Sequence, residues 1–383
     1  MNVDIPGIST WTPEQQQARL DAPALDIPPG VESKFGDPRY LNVGVLFFNT
    51  AIIAVSTFFV ATRIYVRLHM VKSMAIPDYL TIIAYGLLVG FVYCYYKLAI
   101  GTGFYVHQWD IPLREYSAFL YYYHLGVNLY IVIVPLVKAA ILLDWLKIFV
   151  PKGTRPAFFW VCYVVMGINT AFYIASLALA NLVCRPLQHF WDPLVEGHCG
   201  NGRIADVISA VFNSAADIII LILPQTIIWK LHMAPEKKFG IAAIFAIGLV
   251  AVVASIVRLV SVIEYFDQED TTYGVSAFLL WTLAETWCIF LVLCVPSAPK
   301  ALHNPRLLQF ATSTLRSLGA LLSTARRSSS SDVRDPWPPL PESNEPSLYH
   351  KPSADEIPLK IVDSKGRSPA PSAKGSRRRD QGV

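Results

Sequence analysis

Two carboxylates, Asp217 and Glu285, sit inside the apolar runs NSAADIIILILPQ and WTLAETWCIFLVLC. Held neutral, either could deliver a proton as a general acid, for example to an epoxide or alkene. Held ionised, each needs a cation, a set of donors or a wet cavity, because a charge at the centre of a bilayer costs at least ~2.5 kcal/mol. Asn213 precedes Asp217 by four residues and Pro224 follows it by seven. At roughly 100° per residue all three share one helix face. Pro224 removes a backbone donor, so it is expected to kink its helix and serve as a hinge. Asp217 lies about twelve residues, roughly 18 Å, inside its span, and Asn128, Asn169 and Glu285 lie roughly 15–18 Å deep. The residues therefore predict a mid-bilayer polar layer lining a ligand cavity: Asn128, Asn169, Asn213, Asp217 and Glu285. Arg258 lies only about 8 Å deep by the same rise; it is expected to bend toward Asp217 or to snorkel to the outer interface. Lys138 is expected to pair with an acid such as Asp78 or to snorkel inward. The competing reading of the asparagines is interhelical glue, worth roughly 0.6 kcal/mol each.

Holding such groups at one depth is a task for membrane helices. The chain has 383 residues, 54% hydrophobic and 16% charged, against about 25% charge in soluble domains. Stretches of roughly 20 apolar residues cross a bilayer core, and seven qualify: about 41–62, 79–100, 117–146, 157–182, 205–229, 240–263 and 275–297. The expected fold class is all-α, a polytopic seven-helix transmembrane bundle over residues 41–297. Residues 1–40 are polar and contain several prolines, and read as a disordered extracellular segment. They lack the basic start and apolar core of a signal peptide, so the first span is expected to direct insertion. Residues 298–327 read as a cytoplasmic amphipathic helix, with Leu308, Ala311, Leu315, Leu318 and Leu322 at helical spacing. Residues 328–383 read as a disordered tail. Within it, Ser328, Ser329, Ser330 and Ser331 follow Arg326 and Arg327 as a basophilic-kinase phosphorylation site, and PWPPLP suits a proline-reading domain.

Basic residues cluster after alternate spans. Arg63, Arg67 and Lys72 follow the first, Lys147, Lys152 and Arg155 the third, and Lys230, Lys237 and Lys238 the fifth. The stretch YFDQEDTTYG, between the sixth and seventh spans, has none. Positive charge favours the cytoplasmic side, so the N-terminus is expected outside and the C-terminus inside. The expected location is the plasma membrane or another membrane of the secretory pathway. Cys184 and Cys199 bracket the outer loop CRPLQHFWDPLVEGHC. A disulfide there stabilises by about 3 kcal/mol; the alternative is a zinc site from Cys184, His189, His198 and Cys199, whose spacing fits no standard pattern. No phosphate-binding glycine loop, zinc-hydrolase helix or nucleophile elbow is present, and nothing points to a metal or to nucleic acid.

Several phrases, in this order and spacing, resemble the fungal rhodopsin-like integral membrane domain family: RIYVRLHMVKSMAIPDYL, LYIVIVPLVKAAILLDWLKIF, the loop CRPLQHFWDPLVEGHC, and FNSAADIIILILPQTIIWKLHM with the span after it. The resemblance covers about residues 45–300. Departures are visible: Pro77 precedes a single Asp78 where the family often has two acids, and Ala140 stands at a usual serine. The cysteine-rich extracellular module of some members is not expected, since no cysteine precedes Cys94. A retinal pigment needs a lysine for its Schiff base. The last span contains none and Lys300 lies beyond it, so no retinal and no other cofactor is expected. The resemblance implies a receptor-like membrane protein. It would bind a small or lipophilic ligand in an outer-half polar cavity and report to a cytoplasmic signalling partner through inner loops and tail. The alternatives are a membrane-bound cyclase-type enzyme using Asp217 or Glu285, and an accessory protein of a secondary-metabolite pathway.

Overall fold

A computed structural model of the chain describes residues 10–33, 35, 42–151, 154–200, 202–228, 235–266 and 270–297. The expected amphipathic helix, the tail and Ser328–Ser331 lie outside the described residues. A short helix α1 (Pro13–Leu20) precedes seven long ones: α2 (Asn42–Tyr65), α3 (Ile76–Gly101), α4 (Leu113–Phe149), α5 (Ala157–Leu182), α6 (Gly202–Ile228), α7 (Pro235–Phe266) and α8 (Thr271–Cys294). All seven are long and apolar enough to cross a membrane. α4 runs on beyond both expected ends of the third span and continues through Pro135. α2 widens into a π turn over Val66–Val71, which ends where Lys72 adopts a left-handed conformation.

Helices adjacent in sequence pack against each other, α3 on α4, α6 on α7 and α7 on α8. α4 and α8 are the most enclosed, α2 and α5 among the least. Large apolar side chains such as Phe47, Ile100, Ile174 and Ile222 point outward. In lipid these exposures carry no penalty, so close packing and interhelical polar bonds must hold the bundle.

One end of the bundle carries the loops that join α3 to α4, α5 to α6 and α7 to α8. α3 closes at Gly103, whose positive φ of 85° suits a residue without Cβ, and its N–H returns to Leu98 O at 2.9 Å. Asp270 caps α8 at Tyr273 N–H, accepts from Gln108 N–H at 3.0 Å and meets His107 Nδ1 at 2.5 Å. The His107 ring lies between Trp109 and Tyr273, at centroid distances of 4.4 and 4.6 Å. In the α5–α6 loop, β1 (Cys184–Arg185) pairs antiparallel with β2 (His198–Cys199). Cys184 and Cys199 are joined as a disulfide, which removes both thiolates from the alternative zinc site. Among the described residues no cluster of metal-ligating side chains exists.

Within the segment expected to be disordered, the described residues 10–33 make specific bonds. Thr12 and Gln15 cap α1 reciprocally, with Thr12 N–H donating to Gln15 Oε1 at 2.9 Å. The chain then pairs with the α3–α4 connection: Ala24 N–H donates to Ile111 O and Leu113 N–H to Ala22 O, each at 3.0 Å. Ser33 Oγ donates to Asp110 at 2.9 Å. Its composition reads as unstructured because its order comes from a partner segment some eighty residues away rather than from an apolar core of its own.

Candidate functional site

Asn213 and Asp217 stand one turn apart on α6, so their side chains leave the helix on one face. Facing them are Lys138 from α4, Glu285 from α8 and Arg258 from α7, all buried. Lys138 Nζ lies 2.9 Å from Asp217 Oδ1 and donates to Asn213 Oδ1 at 2.8 Å and Asn213 O at 3.4 Å. The Asn213 amide donates to Asp217 Oδ2 at 3.0 Å and to Glu285 Oε1 at 2.7 Å. Arg258 Nε donates to Glu285 Oε2 at 2.8 Å. Tyr130 OH donates to Glu285 at 3.1 Å, and Tyr173 OH, from α5, to Asn213 Oδ1 at 2.6 Å. The Arg258 guanidinium also lies 5.5 Å from the centre of the Tyr130 ring, a cation–π contact.

The result is one continuous chain, Arg258–Glu285–Asn213–Asp217–Lys138, spanning α4, α6, α7 and α8, with Tyr173 adding α5. Its two cations balance its two carboxylates. Pairing and hydrogen bonding of each member offset the desolvation of the charges, although Arg258 Nη2 is buried without a hydrogen-bond partner among the described residues. Asn213 uses both amide hydrogens and accepts twice at its oxygen, which exhausts that side chain.

A second neutral cluster lies at the end opposite the disulfide. Arg63 of α2 meets Asp78 of α3 at 2.9 Å and Asp144 of α4 at 2.5 Å, and donates to Leu293 O of α8 at 2.6 Å. Arg67, one turn on, reaches Asp78 at 3.2 Å and Asp144 at 3.3 Å. Asp78 also accepts from Ala75 N–H at 3.0 Å at the start of α3. The sequence marks Arg63 and Arg67 as orienting charges; their four-residue spacing is the signal for a pair facing common acids.

Four of the expected site residues, Asn213, Asp217, Arg258 and Glu285, meet directly. Arg258 takes Glu285, not Asp217, as its partner. Lys138 takes Asp217, since Asp78 is occupied by the two arginines. Asn128 is elsewhere: its amide donates to His124 Nε2 at 3.0 Å and it accepts from Asn181 at 2.6 Å, on a face of α4 turned away from Tyr130. Asn169 is buried one turn from Tyr173, and its Oδ1 has no hydrogen-bond partner among the described residues. Pro224 lies inside α6, which stays helical to Ile228. Tyr130 and Tyr173 carry no charge signal in the sequence. On α2, Asn49 is fully buried and neither atom of its amide has a partner among the described residues.

A cavity of about 110 Å³ opens between α4, α6, α7 and α8. Lys138 and Asp217 close one end; Trp145, Leu221, Ile244 and Val252 are among its walls, and Gln225 and Pro296 lie farther out. It therefore extends from Asp217 toward the Arg63 end of the bundle. On the other side of Asp217, Asn213, Glu285, Arg258 and the two tyrosines bond to one another.

The family model described as fungal rhodopsin domain matches residues 62–304. Fugralins biosynthesis cluster protein 2 of Gibberella zeae is 31% identical over 375 residues, covering 95% of this chain and 90% of that protein. The SAT4 family membrane protein of Emericella nidulans is 32% identical over 171 residues, 45% of this chain and 43% of that one. Receptor GIN3 of Arthrobotrys oligospora is 24% identical over 318 residues, 80% of this chain and 74% of that receptor. No solved structure matches the chain.

Proposed function

The chain belongs to the fungal rhodopsin domain family, and on that premise we propose that it is a receptor-like membrane protein that takes a lipophilic small molecule between α4, α6, α7 and α8. The observation that carries this reading is the cavity ending on the Lys138–Asp217 pair. A ligand lodged there touches a bonded chain that continues to α5, α7 and α8, so its arrival can bias how those helices pack. The apolar walls suit a lipophilic body, as ligand sites in bundles generally do. With the N-terminus outside, as the basic loops favour, the cavity faces the cytoplasmic half and a cytoplasmic signalling partner. The relative named a receptor supports this reading.

A second reading is a membrane component of a biosynthetic pathway, favoured because the relative named for a biosynthesis cluster aligns along nearly the whole chain. As an acid catalyst, Asp217 or Glu285 would need a proton to give. Each instead faces its own cation, a geometry suited to binding more than to proton delivery.

The test reconstitutes the protein in nanodiscs with an alkyl diazirine and maps saturable photolabelling. Labels in the α6 and α7 segments around Ile220 and Val252, lost in Ile244→Trp, support the cavity reading. Labelling that never saturates, or that ignores Ile244→Trp, overturns it. Conversion of a lipophilic precursor by microsomes carrying the native chain, abolished by Asp217→Asn, supports the second reading instead.

A further inference from the structure

We propose that the ligand is a neutral lipophile whose polar tip is a hydrogen-bond donor, such as an alcohol or phenol, and that Asp217 receives that tip. The inference rests on the cavity reading above and specifies the chemistry at its closed end. Lys138 already places its three ammonium donors on Asp217 Oδ1, Asn213 Oδ1 and Asn213 O. It has nothing left for an anion. Asn213 is saturated in both directions. Glu285 is buried behind Asn213 and does not line the cavity.

Asp217 is different. Each of its oxygens receives one donor, Oδ1 from Lys138 and Oδ2 from Asn213, and a carboxylate oxygen accepts two. It lines the cavity. The free capacity at the closed end is therefore for accepting, not donating.

Charge narrows the choice further. The chain is neutral, with two cations against two carboxylates. An anionic ligand would bring an unbalanced charge to an end where Lys138 and Asn213 have no donor left for it. A cationic ligand would find an acceptor but leave the site with a net positive charge in a low-dielectric interior, where an unpaired charge is costly. A neutral donor meets the free lone pair and leaves the balance intact. A hydrogen bond to a charged acceptor is a strong one.

The experiment uses four aryl-alkyl diazirine probes with one body and different tips: primary alcohol, methyl ether, carboxylate and trimethylammonium. Full-length protein in nanodiscs is photolabelled across a concentration series. The expected result is saturable labelling near Ile220 and Val252 with the alcohol half-saturating at least about tenfold lower than the ether, the size of one such bond. That preference is expected to vanish in Asp217→Asn. Carboxylate and ammonium probes are expected to be weaker than the alcohol. Equal saturation by alcohol and ether overturns the donor inference and leaves the cavity reading standing. Tightest labelling by either charged probe overturns the charge argument. No saturable labelling by any probe, with Asp217 and Lys138 intact, overturns both.

Discussion

Lys138 and Asp217 are each tolerable in the interior only because of the other. Lys138→Met leaves a buried carboxylate facing no cation, and Asp217→Leu leaves a buried ammonium. Each single change is expected to cost about 3–5 kcal/mol. The double variant Lys138→Met with Asp217→Leu is expected to recover most of that loss, since an apolar pair of similar volume replaces the ion pair. Unfolding of the purified protein in detergent measures the cycle. Additive losses would mean that the two side chains do not interact. Asn213→Leu is expected to be severe as well, because it strands four bonded partners at once. The polar character of Asn213, Asp217 and Glu285 is legible in the sequence, and so is their depth. Their partners are not: nothing in a linear reading says that Tyr130, rather than Asn128, faces Glu285 from α4. Two residues along a helix is about 200° of rotation, and one helix face cannot be assigned without knowing its neighbours.

At the scale of elements, α6 and α7 approach closely at Gly248. A Cβ built there would lie 2.7 Å from Leu221 Cδ1. That atom is the free end of a side chain lining the cavity, so Gly248→Ala is expected to turn Leu221 to another rotamer and to shift the melting temperature little, the cost of that shift set against the roughly 1 kcal/mol Ala gains over Gly in a helix. Separately, removing the Cys184–Cys199 bond with Cys184→Ser is expected to cost about 3 kcal/mol, seen as a lower melting temperature only under non-reducing conditions. Asn49→Leu is expected to raise the melting temperature, because a buried amide without partners costs about 1–3 kcal/mol. The long helices were readable from run length alone, since lipid requires a minimum apolar stretch. The α1 segment and the His107–Asp270 junction were not, because their order depends on residues far apart in sequence.

For the whole molecule, the seven-helix fold follows from composition, and the family resemblance points the same way. What composition does not contain is where space is left between the helices. Depth alone suggests a chamber among the polar groups; the bonded chain closes on itself there and the cavity opens on its other side. Orientation has its own test. In microsomes, a glycan acceptor placed in the Cys184–Cys199 loop is expected to be modified, and one placed between α4 and α5 is not; the reverse pattern would invert the topology.

Asp217 and Glu285 each lie opposite a cation, the arrangement expected of ionised carboxylates, and infrared spectroscopy of the protein in lipid tests that charge state most directly. With carbon-13-labelled aspartate and glutamate at neutral pH, the expected spectrum has no protonated-carboxyl band that disappears in Asp217→Asn or Glu285→Gln. A protonated-carboxyl band lost in either variant would contradict the pairing and return that residue to candidacy as an acid catalyst.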